Sequence, residues 1–293
     1  MPSLGTCLLT LLTMVLFAAN SLLCRAALRR TGIDPASFTT IRILCAALAT
    51  WALVACRRSG ARRSGAGRSG SWASALALFA YAAAFSFAYR ALQAGMGALL
   101  LFLAVQATMV LWGLRRGERL GLGQTAGLAL ALGGLALLLS PGLSAPPLPG
   151  SLLMLGSGVA WGIYSLRGMG SADPAGATAD NFLRAAPMAL VLCLACLGRT
   201  RLDPVGCAYA ALSGAVASGL GYVLWYRAMR GLRAASAASV QLSVPVLTAL
   251  AGVVVLGEPL SLRLGLAAAA ILGGIGLVLR RAGPAGPIPS EIS

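Results

Sequence analysis

Two stretches of this chain share one pattern: Gly117-Glu118-Arg119-Leu120 followed by Leu132-Gly133-Gly134-Leu135, and Gly257-Glu258-Pro259-Leu260 followed by Leu272-Gly273-Gly274-Ile275. A further match, Tyr89-Arg90-Ala91-Leu92 with Tyr226-Arg227-Ala228-Met229, precedes each copy. The offset between copies is 137 residues for this last match and 140 for the other two. Nearly the whole chain fits inside two such copies, so the sequence predicts two structurally similar halves.

The composition indicates that lipid is the main solvent. Of the 293 residues, 58% are hydrophobic and 10% are charged, with a mean hydropathy of +0.85. A soluble domain needs about 25% charged residues. The net charge of +16 comes from arginines in short clusters between apolar runs, without interleaved aromatic residues. This arrangement argues against nucleic-acid binding and predicts the lipid bilayer as partner, so the long repeat is typical of a membrane transporter.

Catalytic and metal chemistry are not expected. The chain has seven cysteines and no histidine, and Cys193-x-x-Cys196 lies within an apolar run with no acid nearby. We therefore predict no metal site and no cofactor. No Asp, Glu or His falls in the middle of a predicted span, so the sequence offers neither the base of a membrane enzyme nor the buried acid of a proton exchanger.

Cutting the sequence at charges, prolines and glycine clusters gives ten predicted membrane spans. They cover 4–24, 37–56, 72–89, 95–114, 120–139, 150–167, 178–197, 205–226, 235–256 and 260–279. The predicted fold is an all-α polytopic membrane protein of two five-helix repeats, 1–143 and 144–283, with a short tail, 284–293. Because five is odd, the two repeats must have inverted topology in the bilayer.

The distribution of arginines predicts the orientation. With a cytoplasmic N-terminus, the inner side holds 14 arginines and the outer side 7. The inner set is Arg57, Arg58, Arg62, Arg63, Arg68, Arg115, Arg116, Arg119, Arg167, Arg227, Arg230, Arg233, Arg280 and Arg281, and the outer set is Arg25, Arg29, Arg30, Arg90, Arg199, Arg201 and Arg263. The positive-inside rule therefore predicts a multi-pass protein of the bacterial inner membrane with both termini in the cytoplasm.

The second helix of each half begins in the same way. Asp34-Pro35-Ala36 precedes a span with Arg42, and Asp173-Pro174-Ala175 precedes one with Arg184. The Asp-Pro pairs are ordinary helix-start signals. Both arginines lie inside their spans, where a charge needs partners. A structural role, such as pairing of Arg184 with Asp180, and a role in binding an anionic group both remain open.

Two five-helix halves, the Asp-Pro…Arg start and the doubled Gly-Glu-x-Leu segment resemble the drug/metabolite transporter superfamily. Within it, the EamA-type ten-helix exporters are the most similar group, and YddG-like amino-acid exporters are the nearest subgroup. The resemblance covers about residues 4–281. It implies that the first, third, fourth, sixth, eighth and ninth helices enclose a central cavity, with the fifth and tenth at the back.

Aromatic residues at helical spacing mark two faces that could line such a cavity. The third helix carries Tyr81, Phe85 and Tyr89, and the eighth carries Ser218, Tyr222 and Tyr226. Simple packing, or an interfacial belt for Tyr89 and Tyr226, is the alternative. Further candidate cavity residues are the neutral polar groups Asn20, Gln106, Trp161, Tyr164, Gln241 and Ser243. A buried amide without a partner is costly, so each must face a partner or a wet cavity.

Pro245 gives the ninth helix a separate property, and the fourth helix has Val105 at the equivalent position. Proline cannot donate to the carbonyl of Gln241, so this carbonyl could hold an ammonium group. A helix kink whose groups are bonded by neighbours is the equal alternative.

These features predict an alternating-access carrier that moves small zwitterions outward, with neutral amino acids, aromatic ones among them, as the expected small-molecule substrates. The competing interpretations are a carrier of another metabolite, such as a nucleotide sugar or organic anion, and a channel or non-transporting scaffold. The oligomeric state stays open, and a monomer is compatible with the sequence.

Overall fold

The computed structural model describes residues 4–59, 70–117, 121–141, 145–169, 171, 173–229 and 240–280. In this part of the chain every regular element is a helix and no strand occurs. The main helices are α1 (Leu4–Arg30), α2 (Pro35–Ser59), α3 (Trp72–Tyr89), α4 (Ala94–Arg115), α5 (Leu122–Leu139), α6 (Leu148–Gly168), α7 (Pro174–Ala195), α8 (Pro204–Leu212, Ser213–Leu220 and Gly221–Met229 in succession), α9 (Ser243–Leu256) and α10 (Leu262–Arg280). A short 3-10 turn, Leu197–Arg199, follows α7.

Each predicted span coincides with one of these helices, with two notable differences. The first helix is longer than predicted, so Arg25, Arg29 and Arg30, which the sequence placed in an outer loop, belong to α1. The middle segment of α8, Ser213–Leu220, is π-helical. The predicted boundary at 143 and 144, Glu118, and the tail 284–293 lie outside the described residues.

Within the described ranges, seven helical stretches are long and apolar enough to cross a membrane. They are Leu4–Arg30, Pro35–Cys56, Trp72–Tyr89, Ala94–Arg115, Leu122–Leu139, Pro174–Ala195 and Pro204–Ala228, and two shorter apolar helices cover Ser243–Leu256 and Leu262–Val278. The serines, glycines and Pro149 of α6 lower its mean hydropathy, which leaves it outside this set. The chain is therefore a multi-pass membrane protein.

Aspartates start three of the helices. The carboxylate of Asp34 accepts the backbone N–H groups of Ala36 and Ser37 at 2.9 and 3.0 Å. Asp173 and Asp203 accept those of Gly176 and Gly206 in the same way. In each case proline follows directly, where its fixed φ and missing N–H suit the first helical position. The prediction that the Asp-Pro pairs are helix starts is confirmed.

The helices pack so that α5 and α10 form a pair beside the rest. In the remainder, α3 packs on α6 and α7, α2 on α7 and α8, and α1 on α8 and α9, while α4 bridges α6 and α9. Large buried side chains of α1, α2, α3, α6, α7 and α8 form one core at the centre of this group, among them Phe17, Arg42, Tyr81, Trp161, Phe182 and Tyr222.

The two ends of the bundle are joined by different contacts. One end of the bundle, called the Glu258 end, holds two groups of contacts. The turn before α2 meets the loop before α8 through Asp34 and Arg201. The end of α1 meets the α3–α4 and α9–α10 connections, which Glu258 joins. Arg263 also donates to the carbonyl of Ser140 there, at 2.6 Å. At the opposite end, the Ser71 end, the start of α3 meets α7 and the end of α6. The described residues of the connections predicted to be outer lie at the Glu258 end.

Candidate substrate-binding site

Trp161 of α6 is the centre of an aromatic cluster in the middle of the bundle. Its ring centroid lies 4.9 Å from that of Tyr81 on α3 and 4.7 Å from that of Tyr222 on α8. Phe17 of α1 meets Trp161 edge-on at 5.9 Å, and Tyr164 lies 5.6 Å away one turn along α6. Four helices thus contribute one face each to a single group of rings, at distances where offset and edge-to-face pairs are favourable.

Two further rings extend the cluster sideways. Phe182 of α7 stacks on Tyr222 with an interplanar angle of 19° and centroids 5.7 Å apart. Phe85 lies 5.4 Å from Tyr81 and 4.7 Å from Tyr89 on the same helix. Tyr89 is fully buried and its hydroxyl donates to the carbonyl of Ala94 at 3.2 Å, so it is a core residue and not part of an interfacial belt.

A small polar network lies against these rings. The amide of Asn20 donates to the hydroxyl of Tyr81 at 3.2 Å and accepts from the Oγ of Ser213 at 2.7 Å. This arrangement joins α1, α3 and α8. Both polar ends of the Asn20 side chain are therefore satisfied inside the bundle, as a buried amide requires.

Arg42 of α2 is buried behind two of the tyrosines. Its Nε donates to the Oγ of Ser218 at 3.0 Å, and its Nη2 donates to the hydroxyls of Tyr81 and Tyr222 at 3.0 and 3.3 Å. The guanidinium carbon also lies 5.1 Å and 4.9 Å from the ring centroids of Tyr81 and Phe85. The arginine therefore sits among neutral oxygens and aromatic faces.

The rings and polar groups leave a cavity of about 20 Å³ between them. That is the room of about one water molecule, whereas ligand sites span roughly 300–1,000 Å³. The lining residues are Phe17, Asn20, Ser21, Tyr81, Phe85, Leu101, Phe102, Trp161 and Tyr222. The side chains around this cavity thus contact each other in this structure and leave no room for a larger ligand.

A buried ion pair joins three segments of the chain at the Glu258 end. Glu258 accepts from the Nε of Arg25 at 2.8 Å and, through its other oxygen, from the backbone N–H of Ala94 at 2.7 Å. Arg25 Nη1 donates in turn to the carbonyls of Tyr89 and Arg90 at 2.9 and 3.2 Å. These bonds join the end of α1 to both the α3–α4 and the α9–α10 connections.

A second contact closes the same end nearby. Asp34 and Arg201 exchange two hydrogen bonds: the backbone N–H of Asp34 donates to the carbonyl of Arg201 at 3.1 Å, and the carboxylate accepts the N–H of Arg201 at 2.9 Å. Partial burial alone raises the pKa of Asp34, but hydrogen bonds to Ser37, Arg201 and Ala36 outweigh it and hold this pKa below its usual range. The carboxylate is thus kept in the charged form that makes these bonds.

Hydrogen bonds join α3, α6 and α7 in the described part of the opposite end. Arg167 of α6 donates to the hydroxyl of Ser74 at 3.1 Å, and Ser71 N–H donates to the side chain of Asn181 on α7 at 3.0 Å. Arg184 lies here, with its guanidinium 6.0 Å from the Trp72 ring, and its side chain is only half buried. No ion pair forms between Arg184 and Asp180, since every ion pair among the described residues involves Glu258.

The sequence candidates divide into two sets in the structure. Asn20, Tyr81, Phe85, Trp161 and Tyr222 line the cavity, and Tyr164, Ser218 and Arg42 lie directly against its wall. The remaining candidates are not among its lining residues. Gln106 is buried farther along α4, and Gln241 and Pro245 are buried near the start of α9. Ser243 is exposed, and its hydroxyl donates to the carbonyl of Val240. Arg184 lies at the Ser71 end.

Phe17, Ser213 and Phe182 are important parts of this site that the sequence analysis missed. Phe17 had a usable signal, because it lies one turn before Asn20 on the same face of the first helix. Ser213 and Phe182 had none, since one belongs to the π-helical segment and the other is an isolated aromatic residue in an otherwise small-residue stretch.

Comparisons with known proteins agree with this architecture. The sequence profile of the EamA-like transporter family matches residues 4–140 and 148–280, one match in each half. An uncharacterised protein of Pseudomonas aeruginosa is 58% identical over 279 residues, covering 95% of this chain and 96% of its own length. A protein of known crystal structure shares the fold with a TM-score of 0.65 at 20% identity, over 94% of this chain and 97% of its own. The chain belongs to the EamA-like transporter family, a family of membrane transporters of small molecules.

Proposed function

We propose that this protein is an alternating-access carrier of the bacterial inner membrane that exports small zwitterions, with neutral amino acids as the expected class. In this proposal all ten helices cross the bilayer as two inverted five-helix repeats, and both termini lie in the cytoplasm. The Glu258 end then faces outward, and the ion pair of Arg25 and Glu258 is a contact that must separate for substrate release.

The inverted repeat is supported by the pair of back helices. A Cβ added to Gly127 of α5 would meet the carbonyl of Gly274 on α10, and one added to Gly134 would meet the carbonyl of Ala267. The 140-residue offset of the repeat makes Gly134 the counterpart of Gly274 and Gly127 the counterpart of Ala267. Each contact is therefore the image of the other when the two halves are exchanged, as a two-fold relation between antiparallel halves requires.

The aromatic cavity at the meeting point of α1, α3, α4, α6 and α8 is the observation that carries the proposal. It combines broad ring surfaces with neutral hydrogen-bonding groups from Asn20, Tyr81 and Tyr222. Such a lining suits a small molecule with an apolar or aromatic side chain and a few polar atoms. No carboxylate lines it, which disfavours a strongly cationic substrate.

Transport of an organic anion is the second candidate function, and one observation favours it. Arg42 lies against the cavity wall with no carboxylate within ion-pair distance among the described residues. A nucleotide sugar brings two negative charges, and a single buried arginine balances one of them. This candidate therefore narrows to compounds with one anionic group.

Counterflow in proteoliposomes tests the proposal. We expect at least one radiolabelled neutral amino acid to enter vesicles preloaded with the same unlabelled compound, without an imposed pH difference. Trp161→Phe shrinks the central ring, so exchange should fall by about tenfold or more while the protein stays folded. The matched control, Trp51→Phe, changes an exposed ring and should leave exchange unaltered.

Two results would contradict the proposal. Leak of solute without counterflow indicates a channel, and exchange of nucleotide sugars but of no amino acid indicates the other class of carrier.

A further inference from the structure

Arg42 carries a charge that the closed site does not balance. Its side chain is 1% exposed and lies well inside the bundle, where an uncompensated charge is costly. Its three hydrogen bonds go to the hydroxyl oxygens of Ser218, Tyr81 and Tyr222, all neutral. Its Nη1 has no hydrogen-bond partner among the described residues. A guanidinium has five N–H donors in a planar fork, so this one retains unused capacity.

Arg25, the buried arginine at the Glu258 end, shows how this chain compensates a charge that has a structural role. Arg25 pairs through its Nε with Glu258 at 2.8 Å, and its Nη1 donates to two backbone carbonyls. Arg42 has no such carboxylate, although it is more deeply buried. Hydroxyl groups and ring faces lower the cost of the charge without neutralising it, so Arg42 keeps a net charge that an anionic group would balance.

The partners of Arg42 connect it to the cavity. Tyr81, Tyr222 and Phe85, which the guanidinium contacts, are all lining residues. The hydroxyl of Tyr81 accepts from both Arg42 and Asn20, so two elements of the wall converge on one oxygen. A group that enters from the cavity and displaces these hydroxyls reaches the Nη atoms of Arg42 directly.

We propose that Arg42 binds one carboxylate group of the transported molecule, with the rest of that molecule against Trp161 and the tyrosine rings. A carboxylate matches the planar fork of a guanidinium and supplies the single negative charge that is missing. An ammonium group on the same molecule would lie against the ring faces, which attract cations. This inference rests on the proposed transport function and specifies its substrate as a monocarboxylate, zwitterionic or not.

The same arginine links occupancy to the shape of α8. Its Nε bonds to Ser218 and its backbone carbonyl lies against Gly214, both in the π-helical segment of α8, and Ser213 of that segment bonds to Asn20. A carboxylate that draws the guanidinium toward the cavity therefore pulls on α8 at a place where its helical hydrogen bonds already depart from the α pattern.

Matched pairs of ligands test the assignment on purified protein. The probes are L-phenylalanine, L-leucine and 3-phenylpropionate, each compared with its own carboxamide, and the readouts are the shift in melting temperature and the titrated Kd. For wild-type protein, acids that bind should raise the melting temperature and should bind at least tenfold more tightly than the matching amides. This comparison needs no variant, so it stands even where a substitution impairs folding.

Three variants then locate the effect. Arg42→Gln should abolish the preference for acid over amide, whereas Arg42→Lys should retain part of it because the charge remains. Arg184→Gln removes the arginine of α7, which lies at the Ser71 end away from the cavity, and should leave the preference unchanged. Equal binding of acids and amides, absence of binding by every acid, or an unaltered preference in Arg42→Gln would each overturn the assignment. Undiminished counterflow of a neutral amino acid by Arg42→Gln would overturn the assignment and leave the proposed transport function intact, so the two failures are distinguishable.

Discussion

Glu258 shows how a single carboxylate organises one end of the protein. It is 4% exposed, pairs with Arg25, lies 3.6 Å from Arg29 and accepts the first backbone N–H of α4. In the sequence it directly precedes α10, but the helix start that it stabilises is that of α4, to which it is brought by the packing of α9 against α4.

At this residue we expect Glu258→Gln to destabilise the protein substantially. The amide can still accept from Ala94, but it leaves the buried Arg25 without a counter-charge, and removing one partner of a buried ion pair costs about 3–5 kcal/mol. Thermal unfolding in detergent should show a clearly lower midpoint. Arg29→Gln is the control: this side chain is 43% exposed, so its loss should cost less than about 1 kcal/mol. Equal effects of the two substitutions would mean that the pair is not what closes this end.

The sequence could predict a candidate site residue only where the residue's own helix carried a recognisable pattern. The i, i+4 spacing in the third and eighth helices identified Tyr81, Phe85 and Tyr222, and polarity inside apolar spans identified Asn20 and Arg42. The hydrogen bond between Arg42 and Ser218 could not be found in this way, since the two residues are 176 positions apart and meet only through packing of α2 on α8. Gln241, Ser243 and Pro245 had equally good local signals, but α9 lies against α4 and α1, away from the rings.

Among the helices, α8 departs most from its repeat partner. Its counterpart α3 is regular throughout Trp72–Tyr89, whereas α8 is π-helical over Ser213–Leu220. The repeat predicted that the two helices would present equivalent faces, which they do through Tyr81 and Tyr222. It could not predict the π-helical segment, because that segment lies where α8 approaches the backbone of α2 most closely.

Two glycines of α8 provide a test of this approach. An added Cβ at Gly214 would overlap the backbone carbonyl of Arg42, whereas one at Gly221 would meet its nearest atom at 3.6 Å, an ordinary contact. We expect Gly214→Ala to force α2 and α8 apart at a cost of about 1–3 kcal/mol, with loss of transport. Gly221→Ala should be neutral or slightly stabilising, since alanine favours helix. Melting temperatures and counterflow rates of the two variants measure the difference, and similar behaviour would show that the contact yields easily.

For the molecule as a whole, the sequence predicted more than for the site. The doubled Gly-Glu-x-Leu segment and the apolar runs gave the helical class and the family, both of which are confirmed. Long-range facts, such as which loop meets which, follow from three-dimensional packing and were not accessible to a repeat alone. The orientation in the bilayer and the number of spans remain predictions from charge and length.

Labelling in intact cells tests that orientation. In a background without the seven native cysteines, Leu202→Cys is in an exposed position at the Glu258 end and Met169→Cys is near the Ser71 end. A membrane-impermeant maleimide should modify position 202 from outside and should reach position 169 only after permeabilisation. The reverse pattern would place the Glu258 end in the cytoplasm and contradict the proposed orientation in the membrane.

The lone charge of Arg42 has an electrical consequence for the direction of flow. A full elementary charge crossing 100 mV changes its energy by about 2.3 kcal/mol. A zwitterion bound to Arg42 brings one positive and one negative group, so the loaded and unloaded carriers hold the same charge as they reorient. A complete cycle then transfers no net charge, and the membrane potential neither drives nor opposes it. On the proposed function, and with no ion moved along with the substrate, the concentration ratio alone sets the direction in which a zwitterion flows. Such a carrier releases a metabolite only when it accumulates inside the cell.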